Sequence, residues 1–299
     1  MATKTSLLGL TKPAYTEAAD IAVLNGNFDL IDKAVGNGRF VRQELDNSDF
    51  TAGRVVNQRG FTSTKLAAVY TVDRWLADSG NNAAEISIGN GGITLTPTAT
   101  NDAGIYQKLE NYAAMSGKVY TIGVCINNAW ETATFTMAAA AVGYVLPSGL
   151  KVYSTGGFHV LIRNLGGKSP VTIQRVALYE GVYTAETLPA YVYKGYAAEL
   201  AECMRYYQVF GKKRLVQSTQ PNGGFSISER FVIPMRVAPT ITGTYVAWST
   251  VASGNTVVEQ TAALATSESR ADGFLGYYTV GIATELMLLD YAFVASADL

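Results

Sequence analysis

The sequence is short of charge, histidine and cysteine. Its 299 residues carry 23 Lys and Arg against 24 Asp and Glu, a formal net charge of -1. Charged residues make up 16% of the chain, below the quarter or so of an ordinary globular protein. Basic runs are missing. Affinity for a nucleic-acid backbone comes from Lys and Arg neutralising phosphates, so nucleic acid is excluded as a partner. A single histidine removes His-cluster metal sites and leaves His159 as the only His base. Two cysteines cannot build a Cys-rich zinc site, and Cys125 and Cys203 read as buried free thiols. No apolar run reaches the roughly 18 residues of a membrane span, so no membrane insertion is expected. The start of the chain has no long hydrophobic core of a signal peptide, so synthesis in the cytoplasm is expected. Phosphate cradles, dinucleotide fingerprints and nucleophile elbows are missing too, and no cofactor is expected.

What is present is apolar, small and aromatic. Hydrophobic residues reach 48%, with 29 Gly and 18 Tyr. A chain this apolar folds, and its length suggests two domains. Low charge with many small residues fits a surface hidden in an oligomer, or a Thr-, Asn- and Gly-rich β-surface of extracellular type.

One helix is legible near the start. Thr16 is placed as its cap, with Glu17 and Asp20 in the first turn, where the helix dipole favours acids. Ile21, Leu24, Phe28, Ile31 and Val35 follow at spacings of three, four, three and four, a heptad seam. Gly36 and Gly38 are read as its stop. The seam is too short to be a coiled coil alone. It reads either as an amphipathic helix on a globular core or as a short self-associating bundle.

From about residue 46 the period becomes two. Tyr120, Ile122, Val124 and Ile126 alternate with Thr121, Gly123 and Cys125; Ala133, Phe135 and Met137 with the neighbouring threonines; Phe158, Val160 and Ile162 with His159, Leu161 and Arg163. Each reads as a half-buried strand. Over Val171 to Leu178 the apolar face shifts, which predicts a bulge near Gln174. Gly89-Asn90-Gly91-Gly92 reads as a hairpin turn. A second helix is predicted over about Gly195 to Val209, and β-patterns resume to the end, where Met287 to Val294 is almost continuously apolar.

Four stretches then resemble bacteriophage tail-fibre and receptor-binding proteins. They are Leu8-Gly9-Leu10-Thr11-Lys12-Pro13 with Leu24-Asn25-Gly26-Asn27-Phe28; Asn57-Gln58-Arg59-Gly60 with Tyr70-Thr71-Val72-Asp73-Arg74-Trp75; Ala198-Glu199-Leu200-Ala201-Glu202-Cys203-Met204-Arg205-Tyr206-Tyr207-Gln208; and Pro234-Met235-Arg236-Val237-Ala238-Pro239. Each is weak alone; their order is more specific. The resemblance implies a mainly β homotrimer with an N-terminal tail-attachment helix segment at 1–45, a carbohydrate-binding-module-like jelly-roll β-sandwich at 46–190, and a linking helix with a C-terminal trimerising β-sandwich domain at 191–299. It implies a virion tail protein, phage or prophage, that joins a baseplate protein through its N-terminal segment and binds a bacterial surface polysaccharide. The long repetitive shaft of many relatives is missing, which argues for a short, compact tail protein.

Sugar sites stack aromatic faces on C–H surfaces. Trp130 is the first candidate, because a Trp on a strand face shared with Thr132, Thr134 and Thr136 is unusual; edge packing is its rival role. Trp248, Tyr144 and Tyr153 are further candidates. Trp75 reads as a core residue beside Asp73 and Arg74, which are placed to pair. His159 reads as a hydrogen-bonded surface residue rather than a base. Carboxylate pairs such as Asp102 and Glu110 exist, but no pattern singles one out for glycoside hydrolysis. The expectation is therefore non-catalytic host-surface recognition, with no metal. A purely structural baseplate or collar component is the alternative, and a polysaccharide depolymerase is a third.

Overall fold

A computed structural model describes residues 3–4, 10–13, 20–38, 42–137, 142–219, 224–250, 257–259, 265–279 and 285–299. The chain is mainly β and sandwich-type, with few helices. It divides into two compact units. One comprises 1–52, 63–69 and 77–193; the other comprises 53–62, 70–76 and 194–299.

The first unit begins with strands β1 (Thr3–Lys4) and β2 (Thr11–Lys12), which pair antiparallel, and helix α1 (Ile21–Gly38). The Asn27 side chain ties the two together. Its Oδ1 accepts the Thr11 N–H at 2.8 Å and its amide donates to the Thr11 carbonyl at 2.9 Å. Asp20 caps the described helix. Its Oδ1 accepts the Ala22 N–H at 2.8 Å, satisfying an amide that has no partner within the helix. Thr16 and Glu17 lie outside the described residues. Gly36 does not stop the helix, which runs on to Gly38.

Twelve strands among the described residues after that helix build the sandwich: β3 (Ser63–Thr64), β4 (Leu76–Ser79), β5 (Glu85–Gly89), β6 (Gly92–Thr96), β7 (Ala103–Gln107), β8 (Val119–Ile126), β9 (Ala129–Thr136), β10 (Val142–Val145), β11 (Lys151–Thr155), β12 (His159–Asn164), β13 (Val171–Ile173) and β14 (Arg175–Glu180). A short helix, α2 (Tyr112–Met115), precedes β8. One sheet runs β10-β11-β12-β7-β4, a second β13-β6-β5-β3 and a third β14-β8-β9. Val152, Val160, Ile162 and Ile105 from the first sheet, and Ile122, Val124 and Phe135 from the third, are buried. Phe135 stacks on Tyr144 across the two layers at 6.0 Å, and the Ser154 hydroxyl meets the Met137 sulfur at 2.9 Å. The turn joining β8 to β9 places Asn127 and Asn128 both at positive φ, the geometry that matches strand twist in a two-residue hairpin.

Gln174 is not a bulge within one strand. It is the junction where the chain leaves the β6 partner and joins β8 in a different sheet. Its N–H donates to the Cys125 carbonyl at 2.9 Å and its carbonyl accepts the Phe50 N–H at 2.8 Å, so the backbone stays paired through the change. The apolar face shifts there because the strand changes sheets.

The second unit holds α3 (Tyr196–Met204) and strands β15 (Tyr207–Thr219), β16 (Gly224–Arg230), β17 (Thr240–Thr250), β18 (Val257–Glu259), β19 (Ala265–Arg270), β20 (Gly273–Thr279) and β21 (Glu285–Ser296). They form sheets β15-β21-β17-β18 and β16-β20-β19. The predicted second helix is shorter than expected. It ends at Met204, and Tyr207 already pairs with Ser296 in β21, because a ladder partner outweighs the modest helical preference of Tyr-Tyr-Gln-Val. The apolar run at the end is the central strand β21. Leu289, Tyr291, Phe293 and Ala295 point into a core with Phe210, Ile227, Phe231, Met235 and Phe274.

Cys125 and Cys203 are buried free thiols, as expected. Trp75 is fully buried. Among the described residues no helix is long and apolar enough to cross a membrane, and no group of three or more metal-ligating side chains occurs.

Candidate functional site

Three of the four conspicuous sequence stretches, all but the N-terminal one, fall in the second unit, where they are structural. The Arg59 guanidinium lies between the rings of Tyr70 (4.1 Å) and Tyr207 (3.7 Å), and its Nη2 donates to both oxygens of the Asp298 carboxylate at 2.9 and 2.8 Å. Gln58 donates its N–H to Asp73 at 2.6 Å, and Arg74 lies over the Tyr206 ring at 3.5 Å. Burial pushes the Asp73 carboxyl up to about 6, against the pull of the Gln58 hydrogen bonds and Arg59. Buried Gln208 donates to the carbonyls of Met204 and Ile233 and accepts the Val232 N–H. Arg236 donates to the Ala297 carbonyl at 2.7 Å. These charges stack and pair internally, as groups taken from water must.

Trp130 stands on the outer face of the β14-β8-β9 sheet, opposite Cys125 on β8. A Cβ at Gly123 would come within 3.1 Å of the Trp130 ring and 2.6 Å of the Leu188 side chain, so the missing side chain is the space they fill. Trp130 packs with Tyr183 and Tyr191 against Ala177, Tyr179 and Leu188. The segment 181–191 thus covers this face. It is anchored by the Tyr183 N–H donating to the Thr121 hydroxyl at 3.0 Å, and by that hydroxyl donating to the Gly181 carbonyl at 2.8 Å. That is why Thr121, Gly123 and Cys125 are as buried as the apolar face of β8, which alternation predicted to be buried on one side only. We predict that Trp130→Ala lowers stability by about 2 kcal/mol in thermal unfolding and leaves ligand binding intact. Unchanged melting with lost binding would make Trp130 a ligand contact instead.

The other aromatic candidates do not meet Trp130. Tyr144 and Tyr153 lie on neighbouring strands but point to opposite faces, because Tyr144 pairs with Val152 and Tyr153 with Gly143. Tyr144 turns inward onto Phe135. Tyr153 turns outward. The side chains of Trp248 and Val35 lie outside the described residues; the backbone places Trp248 on β17, opposite Val258 and Leu289. Along α1, Ile21 is 74% exposed, Phe28 57% and Leu24 50%, and Ile31 is also exposed, so these seam residues have no cover among the described residues.

His159 opens β12 at φ 60° and is half-buried. Its ring stacks on Tyr112 at 4.0 Å, and Nδ1 accepts the Leu109 N–H at 2.7 Å. Burial, then the Lys108 charge, lower its pKa. A folded-state pKa below the unfolded one means that this latch is fully present above about 6.5 and is lost as pH falls through the folded value. Acidification is therefore expected to cost about 1 kcal/mol of local stability around α2. Amide exchange at Leu109, corrected for its intrinsic pH dependence, checks this. Protection unchanged down to pH 4 would refute it.

The outward face of the five-stranded sheet carries a polar cleft of about 210 Å³, lined by Asp78, Gly80, Thr100, Asn101, Asp102 and Arg163. Arg163 projects from β12 across Gly104 on β7, where a Cβ would lie 2.9 Å from its side chain and 3.1 Å from the Asp78 carboxylate. Arg163 Nε donates to Asp78, whose hydrogen bond holds the guanidinium more firmly in its charged form, against the opposing effect of burial. Nη1 lies 3.9 Å from Asp102. Tyr153 borders the cleft, its ring 5.6 Å from the guanidinium and 5.2 Å from the Lys151 ammonium. Asn101 is fixed by Thr98, whose hydroxyl accepts the Asn101 N–H at 2.9 Å, and by Asn81, whose amide donates to Asn101 Oδ1 at 2.9 Å. Asp102 Oδ1 accepts the Gly166 N–H at 2.9 Å. Carboxylates, an amide, a hydroxyl and a guanidinium held in place beside an aromatic ring are the groups that recognise sugar hydroxyls. Of these residues, the sequence singled out only Tyr153 as a ligand contact. Asp78, Asn101 and Arg163 lie far apart along the chain and form no motif.

No family model matches the chain, and no curated protein matches it. Among solved structures, the recombinant discoidin II of Dictyostelium discoideum matches with 11% identity over 85% of this chain and 93% of that one, at a TM-score of 0.22. Wild-type discoidin II from the same organism matches with 11% identity over 86% and 93%, at 0.21. Overlaps this slight carry no argument about the fold or the site.

Proposed function

We propose that the protein is a non-catalytic surface-recognition protein of phage-tail type. In this reading it is a homotrimer that joins a baseplate protein through its N-terminal segment and binds a bacterial surface glycan through the Arg163 cleft. The observation that carries the binding reading is the set of braced polar groups around Arg163, with Tyr153 beside them. Preorganised groups bind without first losing side-chain freedom. Three such sites on one particle add avidity, so each one alone can be weak. The exposed seam of Ile21, Leu24, Phe28 and Ile31 supports self-association. Sedimentation is expected to give three times the chain mass, and a monomer would refute the trimer.

The test of binding is an array of host-envelope polysaccharides probed with the full chain, with Asn101→Ala and with Arg163→Gln. Binding lost in both variants, with melting retained, supports the cleft. No binding to any fraction favours the purely structural collar or baseplate reading, which the exposed seam also fits. Of the two carboxylates of the cleft, Asp78 is hydrogen-bonded to Arg163 and Asp102 accepts the Gly166 N–H, which suits a binding site better than an acid–base pair. Release of reducing ends from the polysaccharide would overturn the non-enzymatic reading in favour of a depolymerase.

A further inference from the structure

The cleft's charge and hydrogen-bonding capacity are lopsided. Its lining holds two carboxylates and one guanidinium. The guanidinium faces its own carboxylates, donating through Nε to Asp78 and standing 3.9 Å from Asp102. Its stem lies flat across Gly104, and neither the stem nor Asp78 can shift toward the strand without meeting that backbone. An incoming carboxylate on the Nη groups would share the guanidinium with Asp78, whose side chain is only 15% exposed, and would stand beside two fixed negative charges. The Asn101 amide donors are spent on the hydroxyls of Thr98 (3.1 Å) and Thr100 (3.3 Å).

Acceptors remain. Asp102 uses Oδ1 for the Gly166 N–H, while Oδ2 is beyond hydrogen-bond distance of Arg163, in a side chain one-third exposed. A ligand that brings donors finds an open carboxylate oxygen there. One that brings a negative charge meets a net negative lining.

We infer that the cleft selects an amino sugar with a free ammonium group, held by Asp102, over N-acetylated and acidic glycans. The inference rests on the glycan-binding reading of this cleft and adds the chemical class of the ligand. A charge-assisted hydrogen bond between ammonium and carboxylate is the strongest single contact the lining can offer.

The test is titration calorimetry of the full chain with three oligosaccharides of equal length: glucosamine, N-acetylglucosamine and galacturonate oligomers. Wild type is expected to bind the glucosamine oligomer about tenfold more tightly than the others, the factor of one charged hydrogen bond. Asp102→Asn keeps a carbonyl oxygen for the Gly166 N–H, so the fold is expected to persist. It should lose that tenfold preference and leave the weaker binding unchanged. Equal or tighter binding of the acetylated or acidic oligomer, still sensitive to Arg163→Gln, overturns the inference and leaves the cleft as the site. Failure of all three to bind, or binding insensitive to both variants, overturns the inference and the cleft together.

Discussion

Phe293→Ala is expected to destabilise the second unit by about 3–5 kcal/mol. Phe293 is fully buried on the central strand β21. Its ring stacks on Phe210 of β15 at 4.3 Å and meets Phe274 of the other sheet edge-on at 4.7 Å and 77°. Across the sheet it faces Gly243 of β17, which has no side chain to fold into the vacated space. Truncation removes apolar burial and two favourable ring contacts, and leaves a cavity between two sheets. Urea unfolding followed by amide exchange in β15 and β21 measures it. A loss below about 1 kcal/mol would mean that the ring stack does not hold the sheets together.

Gly92→Ala is expected to cost at least about 3 kcal/mol, combining backbone strain with overpacking. Gly92 closes the β5–β6 hairpin at φ 136°, where residues with a side chain are strained. A Cβ there would lie 2.2 Å from the Ile173 carbonyl oxygen and 3.1 Å from the Gln174 Cα. These are backbone atoms, so relief requires β13 to move away from β6, at the point where the chain changes sheets. Gly91→Ala is the control. Its nearest neighbour would be the Thr172 methyl at 4.0 Å, and its effect should stay within about 1 kcal/mol. Thermal melting of the pair checks the contrast. Equal effects would show that the Ile173 contact is relieved without cost.

The mainly β architecture was legible because alternation marks extended segments, as in β8, β9 and β12, although in β8 both faces proved buried. Boundaries failed where tertiary partners decide. Tyr207 left its helical pattern for a ladder with β21, and Gln174 looked like a bulge because a change of sheet also shifts the apolar face. The candidate site was legible only in Tyr153. The eye-catching residues, Arg59, Asp73, Trp75 and Arg236, stood out because buried charges and large rings need specific partners, and those partners turned out to be one another. The cleft residues carry no such mark. Asp78, Asn101 and Arg163 are ordinary types at ordinary spacings, and only the pairing of β12 with β7 and β4 assembles them.

The cover that segment 181–191 lays over the β14-β8-β9 sheet has an evolutionary consequence. Substitutions at Thr121, Gly123 or Cys125 are screened as severely as core changes, because each must fit beneath Leu188, Tyr183 or Gln174. That flank of the unit is closed to drift. The open face around Tyr153 and Arg163 can change its outer residues without repacking a second layer. Under the proposed glycan-binding reading, a lineage adapting to new ligands would therefore accumulate its replacements on one side of this sandwich, and the other side would stay nearly constant.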